Sequence, residues 1–360
     1  MMGQVARLHL APAGVDGRKT AVAKLPAAHR GNRGQAELLG LYEREILFYR
    51  ELAGRVGYRT PELLGAALRP GPKPDPDAGE QLGRLPDWLI RILTRLGLFL
   101  AGRLGRPSVL VLEDLAPAVP ADQLGGLDDG RLEQVVRAVA RAHAASWNAP
   151  ALQELSWLPA VDSAPALLGA MYRLARRPLI RALGPQVPAE ILELADAANA
   201  RVAALTRALA GPPWTLLHGD LRVDNLFLAG PAPEDVIFTD WQVPARGRGV
   251  YDLAYFLCGI LEPTVTAREE DRWVDLYHRE LQDAGVRDYD RSVCHTDYLR
   301  AMLQMLPRVL TASASVDFTN ARGAALQERW LERLIGRARA RASQEWQIVL
   351  GALPDLPAAT

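Results

Sequence analysis

An eight-residue run between two short apolar segments carries the strongest chemical signal in the sequence. The run is HGDLRVDN, from His218 to Asn225, and Asp240 follows fifteen residues later at the end of the apolar segment VIFTD. A carboxylate can orient or deprotonate a hydroxyl group, and asparagine and aspartate oxygens are hard ligands that suit Mg²⁺. These residue types favour phosphoryl transfer to an alcohol, with Asp220 as the catalytic carboxylate and Asn225 and Asp240 as metal ligands. The alternative is a structural turn, where Asp and Asn are favoured for local hydrogen bonding.

The same run resembles the catalytic loop of aminoglycoside phosphotransferases, choline kinases and ecdysteroid-kinase-like proteins. The resemblance implies a protein-kinase-like, two-lobed fold of the α+β class, with an antiparallel sheet and a helix in the N-lobe and a mainly helical C-lobe. It implies ATP and Mg²⁺ as cofactors, Asp220 as the catalytic aspartate, and Asn225 and Asp240 as metal ligands. Arg222 lies where an arginine could contact the transferred phosphate. The sequence from Asp240 reads DWQ, so the glycine of a DFG motif is absent.

A lysine and a glutamate near the N-terminus form a second candidate group. The first 30 residues predict two strands joined by a turn, and the second strand, TAVAKLP, contains Lys24. A helix predicted over residues 35–53 carries Glu45 near its apolar face. Only three of the 42 Lys and Arg residues are lysines: Lys24, Lys19 and Lys73. In a chain that otherwise uses arginine, a lysine is expected where the smaller ammonium group is required, which adds weight to Lys24. The segments VAKLP and LYEREILFYREL resemble the ecdysteroid-kinase-like pattern in particular.

That resemblance implies that Lys24 holds the α- and β-phosphates of a nucleotide and that Glu45 holds the lysine. The alternative is an exposed strand lysine and a solvated helix glutamate.

Two further segments resemble parts of the same fold. The strand VLVLE and the residues after it resemble the hinge between the lobes, where the backbone of Glu113 and Leu115 would contact adenine, although an ordinary buried strand explains the pattern equally well. In GVYDLAYFL, Asp252 is expected to brace the catalytic loop by hydrogen bonds.

The predicted division places a nucleotide-binding N-lobe at residues 1–115 and a C-lobe with the catalytic loop and substrate site at 116–360. The glycine-rich phosphate loop and its preceding strand are missing or reduced to the first three residues, so either the true start lies upstream or the phosphates are covered differently. Residues 70–107 are interpreted as an insertion. Within it, residues 85–104 combine apolar residues with arginines, which favours a helix packed on the N-lobe. A lid over an apolar substrate or an interfacial helix are the alternatives.

Composition limits the classes of function. Hydrophobic residues make up 49% and charged residues 23% of the 360 residues, as in globular proteins, and the formal net charge is zero. A zero net charge gives no general electrostatic case for nucleic acid or an anionic membrane as the main partner. The sequence contains no run of about eighteen apolar residues, so no membrane-spanning helix is predicted. The two cysteines have no zinc-binding spacing, and the N-terminus lacks the apolar region of a signal peptide, so we expect a cytoplasmic protein.

The sequence therefore predicts an ATP-dependent phosphotransferase that modifies a hydroxyl group of a small molecule. The alternative is a catalytically inactive nucleotide-binding regulator of the same fold. A hydrolase is less favoured because the sequence lacks a GxSxG elbow and clustered histidine ligands. The acceptor remains open among sugars, sterols, amino alcohols and other hydroxylated metabolites. A polycationic acceptor would call for an acidic cluster, and the best candidate, residues 269–271, is a helix start where acidic residues are favoured anyway.

Overall fold

Four strands within the first 113 residues form one antiparallel sheet in the computed structural model, which describes residues 3–11, 19–69, 71, 75, 77–314 and 321–354. The strands are β1 (Gly3–His9), β2 (Thr20–Pro26), β3 (Leu63–Leu68) and β4 (Ser108–Glu113). Their spatial order is β1-β2-β4-β3, so β2 lies inside the sheet. Side chains alternate between the faces of a strand. Ala21 and Ala23 are buried on one face of β2, and Lys24 therefore projects from the other.

The prediction of a single helix over residues 35–53 is wrong in one respect, because the structure has two helices in this region. The two helices are α1 (Arg30–Leu38) and α2 (Leu41–Glu51). Gly40 separates them with a φ of +65°, in the left-handed region that favours glycine. Glu45 is 3% exposed and lies in α2 beside the buried Ile46 and Phe48. The prediction that Glu45 accompanies the apolar face is therefore confirmed.

The segment interpreted as an insertion contains two helices, α3 (Ala78–Gly83) and α4 (Asp87–Leu104). The backbones of α4 and α1 approach each other closely where the two helices pack. A Cβ on Gly34 would lie 2.3 Å from the carbonyl oxygen of Leu98, and one on Gly102 would lie 2.4 Å from that of Arg30. Only glycine permits such an approach. One face of α4 is thus packed on the N-terminal helices, as the favoured interpretation has it.

Parts of the sequence prediction fall outside the described residues. These are the turn near residues 14–17 and, in the proline- and glycine-rich segment 69–81 that predicts an exposed loop, residues 70, 72–74 (with Lys73) and 76. The end of that segment is not a loop, because α3 begins at Ala78. The division of the chain at residue 115 stays a prediction, although the last strand of the sheet ends just before it, at Glu113.

After β4 the described chain is mainly helical. The helices are α5 (Asp129–Ala145), α6 (Ala151–Glu154), α7 (Pro165–Leu183), α8 (Ala189–Ala200), α9 (Val202–Ala210), α10 (Val250–Ile260), α11 (Ala267–Asp283), α12 (Arg291–Ser313), α13 (Ala321–Arg339) and α14 (Ser343–Gly351). Four short strands form two antiparallel pairs among them: β5 (Thr215–Leu217) with β8 (Ala245–Gly247), and β6 (Leu226–Leu228) with β7 (Val236–Phe238). Every residue of α10 is buried, and α10 packs against α12 at the centre of the helical part.

The structure thus confirms the predicted α+β class, a small antiparallel sheet with helices followed by a mainly helical region. None of the helices in the described part of the chain combines the length and apolar character that a membrane crossing requires. Cys258 and Cys294 are both free thiols and both buried. Burial raises the pKa of the Cys258 thiol to about 12, so this group stays protonated in the native protein.

Candidate active site

The loop from His218 to Asn225 is fixed at both ends by short strands. β5 ends directly before it and β6 begins directly after it. Asp252 in α10 accepts hydrogen bonds from the backbone N–H groups of His218, at 2.6 Å, and Gly219, at 2.9 Å. The predicted bracing role of Asp252 is therefore confirmed. A Cβ on Gly219 would lie 2.2 Å from the carbonyl oxygen of Val243, so the loop requires glycine there.

Three side chains donate to the carboxylate of Asp220. The hydroxyl of Tyr255, in α10, donates to Oδ1 at 2.6 Å. The guanidinium Nε of Arg222 lies 3.0 Å from Oδ1, and Asn225 Nδ2 lies 3.3 Å from Oδ2. The charge of Asp220 raises the pKa of Arg222, which stays protonated beside it. The structure therefore brings together the Asp220, Arg222 and Asn225 predicted from the sequence, and adds Tyr255, which sequence reasoning missed.

Lys24 joins the sheet, the helix α2 and the segment after β7. Its Nζ forms ion pairs with Glu45 Oε1 and with Asp240 Oδ1, the latter at 2.6 Å. The exposed fraction of the side chain is 17% for Lys24 and 4% for Glu45. The alternative of an exposed lysine and a solvated glutamate is therefore wrong. Lys24 and Asp240 are 216 residues apart in sequence. Their contact joins the candidate group near the N-terminus to the one around Asp220.

Burial and charge act in opposite directions on these three groups. Burial alone would lower the pKa of Lys24, but the charges of Glu45 and Asp240 raise the pKa above its ordinary value. Burial raises the pKa of Glu45, and Lys24 offsets part of that effect. Burial would also raise the pKa of Asp240, yet the neighbouring charge of Lys24 holds it below its usual range. The result is a lysine that stays charged and an ionised Asp240.

The residue after Asp240 anchors the segment that carries it. Trp241 is fully buried and its ring stacks on Phe48 of α2, with ring centroids 3.8 Å apart. The same indole lies 4.5 Å from the ring of His218 in the catalytic loop. Asp240 itself has a φ of +66°, a conformation that costs energy for a residue other than glycine and persists where the surroundings enforce it. Trp241 therefore holds Asp240 in place between α2 and the catalytic loop.

Asn225 and Asp240 are held side by side by the β6–β7 pair. The residue before Asp240, Thr239, donates its backbone N–H to the carbonyl oxygen of Asn225 at 2.9 Å. Asn225 Nδ2 donates to Asp220, which leaves its Oδ1 as the atom able to ligate a cation. Among the described residues no group of three or more His, Cys, Asp or Glu side chains forms a metal cage. Two oxygen donors fit Mg²⁺, which commonly takes one or two protein ligands and fills its shell with phosphate oxygens and water.

The predicted hinge residues lie at the end of β4, on the strand beside β2. Ala21 of β2 is in register with Glu113, and Lys24 with Leu110, so three residues or about 10 Å separate the hinge from the lysine along the strands. The N–H of Glu113 already donates to the carbonyl oxygen of Glu62. The carbonyl oxygen of Leu115 likewise accepts from the N–H of Ala118. A contact with adenine would thus use the Glu113 carbonyl and the Leu115 N–H.

Gln123 braces the loop from His218 to Asn225 and lies in the connection between β4 and α5. Its Oε1 accepts a hydrogen bond from the N–H of Val223 at 2.7 Å, and its Nε2 donates to the carbonyl oxygen of Gly259 at 2.6 Å. Its own N–H donates to Asp224 Oδ1 at 2.9 Å. Gln123 is 6% exposed, so these contacts are largely removed from solvent. Sequence reasoning did not predict this role, because Gln123 and Val223 are 100 residues apart in sequence.

The acidic residues 269–271 are engaged within the protein. Glu269 caps the start of α11 by accepting from the backbone N–H of Thr266 at 2.8 Å. Glu270 is fully buried and accepts a hydrogen bond from Tyr298. Asp271 lies 2.6 Å from Arg341. These side chains do not form a free acidic surface for a polycationic molecule.

We expect the substitution Tyr255→Phe to lower kcat about tenfold, because a hydrogen bond to a charged group is lost at the carboxylate of Asp220. Burial and the charge of Asp220 hold the pKa of Tyr255 well above its ordinary value, so the hydroxyl is a permanent donor. Steady-state kinetics with nucleotide affinity measured separately would test this. The matched control is Tyr172→Phe. Tyr172 lies on α7, and its hydroxyl donates to Asp196 of α8 at 2.9 Å. Equal kcat values for the two variants would contradict the positioning role of Tyr255.

Comparison with known proteins identifies one family and one fold. The model of the ecdysteroid kinase-like family matches residues 98–287, more than half of the chain. Choline kinase from Cryptosporidium parvum Iowa II superposes with a TM-score of 0.51 at 12% identity, over 97% of this chain and 92% of that chain. The GDP complex of wild-type aminoglycoside 2'-phosphotransferase-IIIa gives a TM-score of 0.50 at 15% identity, over 94% of both chains. At these identities the two structures confirm the predicted protein-kinase-like fold. No protein with a curated description matches the sequence significantly.

Proposed function

Because the chain belongs to the ecdysteroid kinase-like family, whose members and fold point to small-molecule phosphotransfer, we propose that it transfers the γ-phosphate of Mg-ATP to a hydroxyl group of a small molecule. One observation carries the proposal: Lys24 contacts both Glu45 and Asp240. Lys24 and Glu45 lie outside the residues that the family model matches. The contacts of Lys24 with Glu45 and with Asp240 are therefore support from geometry that is independent of the family match.

The catalytic loop supplies the groups that act on the acceptor. Asp220 accepts the proton of the acceptor hydroxyl as its oxygen forms a bond to the γ-phosphorus. The bond between that phosphorus and the β,γ-bridging oxygen breaks, and ADP leaves. Tyr255 and Asn225 hold the carboxylate of Asp220 in orientation. Arg222, adjacent to Asp220, neutralises charge on the transferred phosphate.

The sheet and the segment after β7 hold the nucleotide. Lys24 binds the α- and β-phosphate oxygens, and Glu45 keeps the ammonium in place. Asn225 and Asp240 would hold Mg²⁺, which would supply positive charge to neutralise the phosphates. Lys24 is paired with Asp240 in the described structure. The backbone of Glu113 and Leu115 contacts the adenine edge.

The inactive nucleotide-binding regulator is not favoured. An inactive kinase-like protein usually lacks at least one of the polar groups that phosphoryl transfer requires. Here Asp220, Asn225 and Asp240 are all present. Asn225 donates to Asp220, and Thr239, the residue before Asp240, donates its backbone N–H to Asn225. Lys24 completes the group. A polycationic acceptor is also disfavoured, because the acidic residues 269–271 are paired within the protein.

The experiment is a screen of hydroxylated acceptors with the full chain, ATP and Mg²⁺. Sugars, amino alcohols and sterols are offered in separate reactions, and ADP is measured together with the mass of each acceptor. We expect one class to gain a phosphate, with one ADP formed for each phosphate transferred, and EDTA to stop the reaction. Release of inorganic phosphate at a rate independent of every acceptor would instead identify a hydrolase and contradict the proposal.

A further inference from the structure

The exposed face of α4 is unusually apolar for a surface helix. Its exposed apolar side chains, 38% to 76% accessible, are Trp88, Ile92, Leu93, Leu96, Phe99, Leu100 and Leu104. Trp88, Ile92, Leu96 and Phe99 follow one another at spacings of four, four and three residues, which places them along a single line. A helix of 18 residues is about 27 Å long, and the line from Trp88 to Phe99 covers about 16 Å of it. Contiguous apolar patches of this kind mark interaction sites.

The apolar face continues onto α1. A Cβ on Gly97 would lie 3.5 Å from a methyl group of Leu38, so the end of α1 borders the middle of α4. Leu38 and the following Leu39 are both about half exposed. The opposite face of α4 is fixed, because Ile90 is fully buried and Arg33 donates to the carbonyl oxygen of Gly102 at 2.7 Å. The exposed side chains therefore stand on a rigid support.

After its first residue, Asp87, α4 carries only basic charged side chains. Residues 88–104 contain Arg91, Arg95 and Arg103 and no acidic residue. Arg91 and Arg95 are exposed and lie one turn apart along one edge of the apolar line. The guanidinium of Arg103 lies 4.0 Å above the ring of Phe99, within the apolar line itself. In the described part of the chain, none of these three arginines forms an ion pair with a carboxylate.

We propose that this face of α4 docks the protein reversibly on a membrane surface that contains anionic lipids. An amphipathic helix lies in the interface when its apolar face meets the acyl boundary and its basic residues meet anionic headgroups. Trp88 at the start of the helix suits the headgroup level, where tryptophan is enriched. The inference does not depend on the proposed phosphotransfer. It requires only the exposed residues of α4 and their charge.

A second copy of the chain is the competing occupant of this face, and the charges argue against it. Self-pairing would bring the arginines of one α4 against those of the other. The only acidic residue of the helix, Asp87, is already paired with Arg173 at 2.8 Å. A two-copy interface would therefore place like charges together in a partly desolvated site, whereas anionic lipid supplies the opposite charge.

The test uses the full chain and sedimentation with vesicles of phosphatidylcholine, with and without one quarter phosphatidylglycerol. We expect the wild type to bind the anionic vesicles at low salt, to bind neutral vesicles weakly, and to lose binding as salt rises. The triple substitution Ile92→Gln, Leu96→Gln and Phe99→Gln is expected to lower binding at least tenfold. Its residues are exposed, so its melting temperature should stay near that of the wild type. Ile348→Gln is the matched control, since Ile348 is 64% exposed on α14.

A second variant separates charge from apolar contact and avoids any effect on folding through the apolar residues. Arg91→Gln with Arg95→Gln is expected to reduce binding to anionic vesicles about tenfold or more, and to leave binding to neutral vesicles unchanged. Failure of the wild type to bind anionic vesicles at low salt would overturn the proposal. So would equal binding by the triple variant, or a wild-type dimer in solution that the triple substitution converts to a monomer.

Discussion

Replacement of Asp220 by asparagine is expected to lower kcat for phosphoryl transfer by about 10²–10⁴-fold, while the affinity for Mg-nucleotide stays close to that of the wild type. Asparagine has nearly the same shape and its carbonyl oxygen can still accept the hydrogen bond from Tyr255. It cannot accept a proton from the acceptor. Steady-state kinetics on the acceptor found in the screen, together with calorimetry for the nucleotide, would measure both quantities.

The control for this prediction is Asp283→Asn, an exposed aspartate at the end of α11. It makes the same chemical change away from the catalytic loop, so kcat should stay at the wild-type value. An Asp220→Asn variant with the same kcat as the control would show that the loop carboxylate does not act on the acceptor.

The second large effect is expected for Lys24→Met, which should lower kcat/KM by about 10²–10³-fold, as when one charge-stabilising donor is removed from an active site. The exposed fraction of the Lys24 side chain is 17%, and both of its carboxylate partners lose their cation. Kinetics and urea unfolding would be compared with those of Lys19→Met. Lys19 is an exposed lysine directly before the same strand. Equal kcat/KM for the two methionine variants would contradict the account.

The pH dependence of this variant has a defined sign. In the wild type the pKa of Lys24 is raised, so its stabilising effect is complete below the unfolded-state pKa of about 10.4 and is lost only as pH rises through the higher folded-state pKa. The pKa of Asp240 is lowered, so its contribution is present above about pH 4 and is lost as pH falls. Without Lys24 the two carboxylates repel each other while ionised. The variant should therefore be most destabilised near neutral pH, and the difference from the wild type should shrink as Glu45 and Asp240 become protonated.

The candidate catalytic loop was predictable because its residues are close in sequence. Asp220 and Asn225 lie five residues apart, and Asp240 lies two residues after the end of β7, the strand that pairs with β6. Lys24 and Glu45 were predictable for a different reason. A strand and a helix with alternating and helical apolar patterns each fix which side chains face a common side. The structure brings all five groups together.

Other features depend on packing between distant segments, which periodicity does not report. Tyr255 lies within an entirely buried helix, where a tyrosine at helical spacing indicates only core. Gln123 contacts Val223 from 100 residues away. The break at Gly40 was missed because the apolar pattern of α2 extends across it and a single glycine is tolerated within many helices. The packing of α4 on α1 in particular depends on close approaches at Gly34 and Gly102, which the apolar pattern does not indicate.

The most direct measurement is a calorimetric titration of ATP, with Mg²⁺ and with EDTA, on the wild type and on Asp240→Ala. The account predicts that the wild type binds ATP more tightly with Mg²⁺ and that the alanine variant loses this dependence, whereas Asp283→Ala keeps it. ATP binding by the wild type that is equal with and without Mg²⁺, or Mg²⁺ dependence that survives in Asp240→Ala, would contradict the proposed metal and phosphate site.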